Sequence, residues 1–214
     1  MGMDRFAILL DGGYVRKRLR VPARAAGGPD AKVTADDILA TISRLRQHAQ
    51  FMGKELLRAY YHDSPPATGK LMNSFTGRNV DLSQTEHFRD SATLLDRLEL
   101  AHDVAVRKGD VVVRGWAVRS ERLKDALAQK RPLQEDDLIP NIMQKGVDLR
   151  IGLDMAKLAL QRLVSTIAIV TADSDLIPAC KFVRREGLRL VLVLLKGKCQ
   201  RDLAVHADAV IEDS

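Results

Sequence analysis

The sequence predicts one α/β domain built around a mostly parallel β-sheet. Short apolar runs at 5–10, 55–61, 166–172 and 188–195 have the length and composition of buried strands. Stretches with helical periodicity separate most of these runs. Strands that alternate with helices fold into a parallel sheet covered on both faces, which gives a three-layer sandwich. The chain has 214 residues and no internal repeat, so a single domain over residues 1–214 is the simplest interpretation.

The first half of the chain supplies two of these strands. Residues 5–10 form the first, and 11–13, Asp-Gly-Gly, form a glycine turn after it. A stretch rich in Arg, Lys and Gly follows, which predicts a basic loop over about 15–30. Residues 34–52 have helical spacing, and residues 55–61 form the second strand.

A second helix and a hairpin come next. Residues 84–102 have the periodicity of a helix. Two valine-rich runs then flank Lys108-Gly109-Asp110, which predicts an inserted β-hairpin over about 104–118. Two interpretations of this hairpin stay open: the edge of a homodimer, or a flap over a substrate.

The last part of the chain begins with a helix whose apolar residues form one stripe. They recur at i, i+4, i+7, i+11 and i+14, and they are Leu149, Leu153, Ala156, Leu160 and Leu163. Strands at 166–172 and 188–195 follow, with helices at about 175–186 and 199–206 and a final apolar segment at 209–211.

Acidic residues follow two of the predicted strands directly. Asp11 comes after the first strand, and Asp173 comes after the strand at 166–172. In open α/β sheets, ligands bind outside the carboxyl ends of the strands, so these two side chains are expected to share a crevice. Asp148, at the start of the leucine-striped helix, and Asp175, at the start of the next helix, can join them.

Carboxylates that converge without basic partners repel one another, and a hard cation relieves that repulsion. Mg²⁺ binds through one or two carboxylates together with waters and phosphate oxygens. We therefore predict that Asp11, Asp148 and Asp173 bind a divalent metal and that Asp175 assists them.

Each acid also has a purely structural interpretation. Asp11 and Asp173 could be turn formers, and Asp175 could be a helix N-cap. Asp148 could interact only with the helix dipole. Asp154 lies about 120° around the helix from Asp148 at about 100° per residue, and its role stays open.

The chain is basic, with a formal net charge of +6, which favours polyanionic partners. Candidate contacts to such a partner are the cations and hydroxyl groups close in sequence to the acids: Tyr14, Arg16, Lys17, Lys145, Thr171 and Ser174. Neither a membrane-spanning run nor a secretory signal is visible, so a cytoplasmic protein is expected.

Four segments together resemble a known family: AILLDGGYVRKRL, YYHDSPP, QKGVDLRIGLDMAKLA and IAIVTADSDLIPACKFVRREG. They are similar to the NYN domain, in the LabA-like branch of the PIN-like nuclease superfamily. The resemblance implies a PIN-like Rossmannoid fold, an acidic pocket for Mg²⁺ or Mn²⁺, and metal-dependent endonucleolytic cleavage of single-stranded or structured RNA. It assigns the catalytic positions to Asp11, Asp148 and Asp173, with Asp175 beside them.

The sequence departs from the family pattern at one place. Many members have an asparagine shortly after the first aspartate, whereas this chain has Gly12, Gly13 and Tyr14 there. If that amide positions substrate in the family, Tyr14 would have to take over its role.

Two other functions are compatible with the sequence. One is an RNA-binding or regulatory module that keeps the fold without catalysis. The other is a Mg²⁺-dependent phosphatase of the haloacid dehalogenase type, but that chemistry uses a second aspartate at the position occupied by Gly13. The choice between RNA and DNA as partner also stays open.

Overall fold

A computed structural model describes residues 4–20, 32–73 and 75–213. Its centre is a six-stranded sheet built from β1 (Arg5–Asp11), β2 (Glu55–Asp63), β5 (Val104–Lys108), β8 (Thr166–Val170), β9 (Arg189–Leu195) and β10 (Ala209–Asp213). The strands lie in the order β10-β9-β8-β1-β2-β5, and every neighbouring pair is parallel. The α/β prediction with a mostly parallel sheet is confirmed.

Helices cover both faces of the sheet. Over the described ranges they are α1 (Gly12–Leu19), α2 (Ala35–Arg46), α3 (Glu86–Glu99), α4 (Ser120–Gln129), α5 (Val147–Leu160), α6 (Ile177–Arg185) and α7 (Arg201–Ala204). One apolar core lies between the sheet and α1, α2 and α3, and a second lies between the sheet and α5 and α6. Side chains alternate along each strand, so successive residues of β1 enter opposite cores.

The predicted hairpin over 104–118 is wrong. Strand β5 instead joins the edge of the main sheet, parallel to β2. Strand β6 (Asp110–Val118) pairs antiparallel with β7 (Leu138–Lys145), and helix α4 lies between them in the chain. The backbone of β5 is satisfied by β2, a pairing that the N–H of Gly109 extends by donating to the carbonyl oxygen of Asp63 at 2.8 Å. Gly109 also packs closely on β7, since an added Cβ would lie 2.8 Å from the carbonyl oxygen of Lys145. A second two-stranded sheet joins β3 (Lys70–Met72) to β4 (Asn79–Asp81).

The predicted basic loop over about 15–30 is also wrong in its first part. Residues 12–19 form α1, which begins directly after β1. Asp11 caps this helix, because its side chain accepts a hydrogen bond from the backbone N–H of Tyr14. Residues 21–31 lie outside the described residues.

The leucine-striped helix forms as predicted, but its leucine stripe faces solvent. Leu149, Leu153 and Leu160 are 67%, 60% and 63% exposed. Ile151, Met155, Leu158 and Ala159 form the buried face instead. Both sets have helical spacing, so periodicity alone does not tell which face packs on the sheet. Among the described residues, no helix is both long enough and apolar enough to cross a membrane.

Candidate functional site

The carboxyl edge of the sheet brings the predicted acids of β1 and β8 together. The two strands are direct neighbours, with Leu10 opposite Val170, so the residues that follow each strand leave the sheet side by side. Asp11 ends β1, and Asp173 caps the short 3₁₀ turn Ser174–Leu176 by accepting the N–H of Asp175 at 2.9 Å.

Thr171 connects these two acids. Its hydroxyl donates to Asp11 Oδ2 at 3.0 Å and accepts the N–H of Asp173 at 3.1 Å. The side chain is fully buried. Thr171, which the sequence suggested as a substrate contact, therefore holds the loop after β8 against the end of β1.

Asp148 reaches the same edge from helix α5. It lies in the first turn, after Gly146, whose φ of 70° starts the helix without a side-chain cap. Asp148 is exposed, but partial desolvation at this edge raises its pKa above the usual value, and the charges of Asp173, Asp11 and Asp175 raise it further.

The pKa of Asp11 is raised as well, first by burial and then by the charges of Asp173 and Asp63, although the hydrogen bonds from Tyr14 and Thr171 oppose the shift. The carboxylates of the predicted set thus act on one another electrostatically. This mutual effect agrees with the expectation that these side chains lie at the same edge of the sheet, whereas their role in metal binding stays a prediction.

None of these four acids pairs with a cation within the described residues. Elsewhere the chain does neutralise its acids: Asp137 binds Arg131 at 2.7 Å, which lowers the pKa of Asp137 to about 2.

Asp154, whose role was open, accepts hydrogen bonds from His62 at 3.0 Å and Arg107 at 2.9 Å. These bonds lower the pKa of Asp154 in spite of its burial.

The donor set suits a hydrated divalent cation. In the part of the chain that the structure describes, no three or more His, Cys, Asp or Glu side chains lie close enough to bind one ion directly. Mg²⁺ needs only one or two carboxylates, because it retains several waters. Asp11, Asp148 and Asp173 would suit that kind of binding if waters supplied the remaining contacts.

A fifth acid, Asp63, lies at the same edge and was not predicted. It ends β2, and only 1% of its side chain is exposed. Arg16 contacts both of its oxygens, at 3.2 and 3.3 Å. Tyr61 Oη at 3.1 Å and the N–H of Ser64 at 2.7 Å also donate to it. An acid directly after a predicted strand is expected at this edge, as for Asp11, and Asp63 would have been identified in the same way. The apolar pattern, however, predicts that β2 ends at Tyr61, two residues too early.

Gly12 allows α1 to begin this close to β2. A Cβ at this position would lie 2.8 Å from both the carbonyl oxygen of His62 and Tyr61 Oη, and 2.9 Å from the Cβ of Asp63. A Cβ at Gly13 would meet only Asp11 Oδ1, at 3.4 Å. The first of the two glycines is therefore required by packing.

The candidate substrate contacts on α1 have different surroundings. Arg16 is 17% exposed and is engaged with Asp63, so its guanidinium points inward. The hydroxyl of Tyr14 accepts the N–H of Leu195 at 3.0 Å, and Arg18 lies over its ring, 5.5 Å from the centroid. Lys17 is exposed.

Two further candidates flank the acids. Lys145 ends β7 and is exposed, three residues before Asp148. Ser174 lies between Asp173 and Asp175 and is partly exposed. Both remain able to contact a ligand at this edge of the sheet.

Comparisons with known proteins identify the family and support the fold. The family model of the NYN domain matches residues 77–213, which include Asp148, Asp173 and Asp175 but not Asp11. The structure of a protein of unknown function from Vibrio parahaemolyticus is similar, with a TM-score of 0.52 at 14% sequence identity, over 99% of this chain and 94% of that chain. A comparison with curated proteins found no match.

Proposed function

The chain belongs to the NYN domain family, and from this premise we propose that it is a divalent-metal-dependent endoribonuclease. Members of the family are generally nucleases of the PIN-like superfamily that act on RNA. The observation that carries the proposal is the set of four acids at the carboxyl edge, Asp11, Asp148, Asp173 and Asp175. The charge of Asp173 raises the pKa of both Asp11 and Asp148, and none of the four acids has a cationic partner among the described residues.

Asp11, Asp148 and Asp173 would hold a hydrated Mg²⁺ or Mn²⁺, with one or two of them as direct ligands. When bound, such an ion neutralises charge that develops on the phosphodiester and favours attack by water. Asp175 would accept hydrogen bonds from waters at the same edge. Thr171 keeps Asp11 and Asp173 at a fixed separation through its two hydrogen bonds.

The groups that would bind the RNA backbone are Lys145 and Ser174, which flank the acids, together with Lys17, which is exposed on α1. Tyr14 and Arg16 would contribute indirectly, because their contacts with Leu195 and Asp63 fix helix α1 against the sheet. The helix in turn fixes Asp11, its N-cap.

The test is cleavage of labelled single-stranded RNA, structured RNA and single-stranded DNA in Mg²⁺, Mn²⁺ or EDTA. We expect RNA cleavage that EDTA abolishes. Asp11→Asn and Asp173→Asn should each lower kcat by about 100-fold or more, because the ion contributes several kcal/mol and each 1.36 kcal/mol is tenfold. Asp96→Asn, an exposed change on α3, is the matched control and should cleave normally.

One observation favours a second candidate function. The described residues contain no preformed three-ligand metal site, which is compatible with a module that binds RNA without cleaving it. Tight RNA binding without cleavage of any of the three substrates, in either metal, would support that module and overturn the nuclease proposal.

Three finer assignments stay predictions. Membership of the LabA-like branch rests on the sequence segments quoted above, and a cytoplasmic location rests on sequence arguments alone. A homodimer also stays a prediction, but the hairpin over 104–118 that suggested its edge does not form.

A further inference from the structure

A basic depression lies away from the acids, where helix α6 ends and β9 begins. Its volume is about 560 Å³. Four cationic side chains line it, Lys181, Arg184, Arg185 and Arg189, and all four are exposed. Of the described residues that line it, one is acidic, Asp208.

The contacts within the depression leave positive charge uncompensated. Arg184 pairs with Asp208 at 2.9 Å, and Asp208 also accepts the N–H of Leu190 at 2.8 Å. Arg189 donates to Gln50 at 2.9 Å, which is a neutral partner. Within the described residues, Lys181 and Arg185 have no ion-pair partner.

Helix stability does not account for this arrangement. Cations in the last turn interact favourably with the helix dipole, which explains Arg184 and Arg185. Lys181 lies one turn earlier, at i−4 from Arg185, and like charges at that spacing destabilise a helix. Arg189 lies beyond the helix, in β9. A bound polyanion would relieve the repulsion among Lys181, Arg185 and Arg189, whose charges no acid compensates within the described residues.

We propose that this depression binds the phosphodiester backbone of RNA at a distance from the site of cleavage, an inference that rests on RNA being the substrate. Helix α6 connects the two regions, since it begins just after Asp175 and ends at Arg185. Its 9 residues span about 13 Å at 1.5 Å per residue. A stacked strand at about 3.4 Å per nucleotide covers that length with about four nucleotides. One RNA can therefore contact both regions.

The shape of the depression favours a nucleic-acid backbone over a small anion. Its cations line an open surface and do not enclose a single phosphate-sized pocket, so they match charges repeated along a chain. Contacts of this kind are independent of base sequence and weaken with added salt.

The experiment measures RNA binding directly, by fluorescence anisotropy in EDTA, with a labelled 20-nucleotide single strand and a trinucleotide. The test variant is Lys181→Glu/Arg185→Glu. The control is Arg46→Glu/Arg97→Glu, which changes net charge equally on the opposite helix layer, where both arginines pair only with exposed acids. Thermal melts establish that both variants are folded.

We expect the test variant to bind the 20-mer at least tenfold more weakly than the control at about 0.1 M salt. The slope of log K against log salt should shrink by about 1.4, which is two contacts at about 0.7 each for single strands. The trinucleotide should bind both variants far more weakly than the 20-mer, because the short strand cannot contact the two regions at once.

Equal affinity and equal slope in the test and control variants would overturn the proposal. Competition by polyglutamate as effective as competition by unlabelled RNA would also overturn it, in favour of an acidic protein partner. This result can be told apart from the result of the nuclease test. If the wild-type protein binds RNA through this depression but cleaves no RNA, only the nuclease proposal is refuted. If the protein cleaves RNA but the test variant binds RNA as tightly as the control, only the proposal about the depression is refuted.

Discussion

Replacing Arg16 should destabilise the protein far more than a surface cation would. Its guanidinium compensates Asp63, a carboxylate with 1% of its side chain exposed at the end of β2. Arg16→Met keeps the apolar stem of the side chain and removes the charge. The carboxylate would then stay buried with only its neutral donors, Tyr61, Ser64 and Gln144.

The magnitude follows from the burial of the pair. Removing one partner of a buried ion pair costs about 3–5 kcal/mol, because the other charge loses its compensation. Arg16 itself is 17% exposed and three neutral donors remain, so the lower end, about 3 kcal/mol, is expected. For a chain of this size, 1 kcal/mol shifts Tm by about 2–4 °C, so the predicted decrease is about 6–12 °C.

The assay is thermal and urea unfolding of wild type, Arg16→Met, Asp63→Asn and the double variant. Lys17→Met is the control, since Lys17 is the exposed neighbour on the same helix, and it should stay within about 0.5 kcal/mol of wild type. The double variant should be more stable than Arg16→Met, because asparagine carries no charge to bury. A loss for Arg16→Met no larger than for Lys17→Met, or no recovery in the double variant, would refute this reasoning.

Three further predictions concern packing and charge. Gly12→Ala should lower the free energy of unfolding in urea by about 1–3 kcal/mol, because its Cβ would overlap β2. Gly13→Ala should be neutral or stabilising, and equal effects of the two variants would contradict the packing argument. Burial raises the pKa of Asp11, so its ionised form destabilises the metal-free fold above that pKa. Asp11→Asn should therefore have a higher free energy of unfolding than wild type in EDTA at pH 7. This difference should shrink as the pH falls through the pKa of Asp11 in the folded state, and a difference that does not change in thermal melts across a pH series would contradict this. Leu158→Ala should cost about 2–5 kcal/mol and Leu153→Gln about 0.5 kcal/mol or less, and the reverse order in urea unfolding would mean that the solvent-facing stripe of α5 is packed.

The parts of the site that sequence predicts are those fixed by strand direction. Parallel strands share a carboxyl edge, so the acids that follow β1 and β8 had to lie near each other once both runs were identified as strands. Asp63 shows the limit of the same argument. The backbone pairing of β2 continues to Asp63, opposite Lys108, after its apolar pattern has stopped.

Features that depend on contacts distant in sequence could not be predicted in this way. The partner of Arg16 is 47 residues away, and no local pattern marks it. Strand β6 pairs with a segment that follows α4, although a tight turn with β5 looked more favourable locally. The two apolar faces of α5 differ only in what the fold places against them, and the leucine face is the one left in solvent.

The nuclease proposal requires that Asp11, Asp148 and Asp173, at the carboxyl edge of the sheet, bind a divalent cation. A crystal structure with Mn²⁺ tests it most directly, through the anomalous signal of the metal. The account predicts one peak at about 2.0–2.6 Å from an oxygen of Asp11, Asp148 or Asp173, the range for hard cations in oxygen sites. Asp11→Asn should lose it. A fully ordered edge without a peak, or with its acids paired to lysine or arginine, would contradict the account.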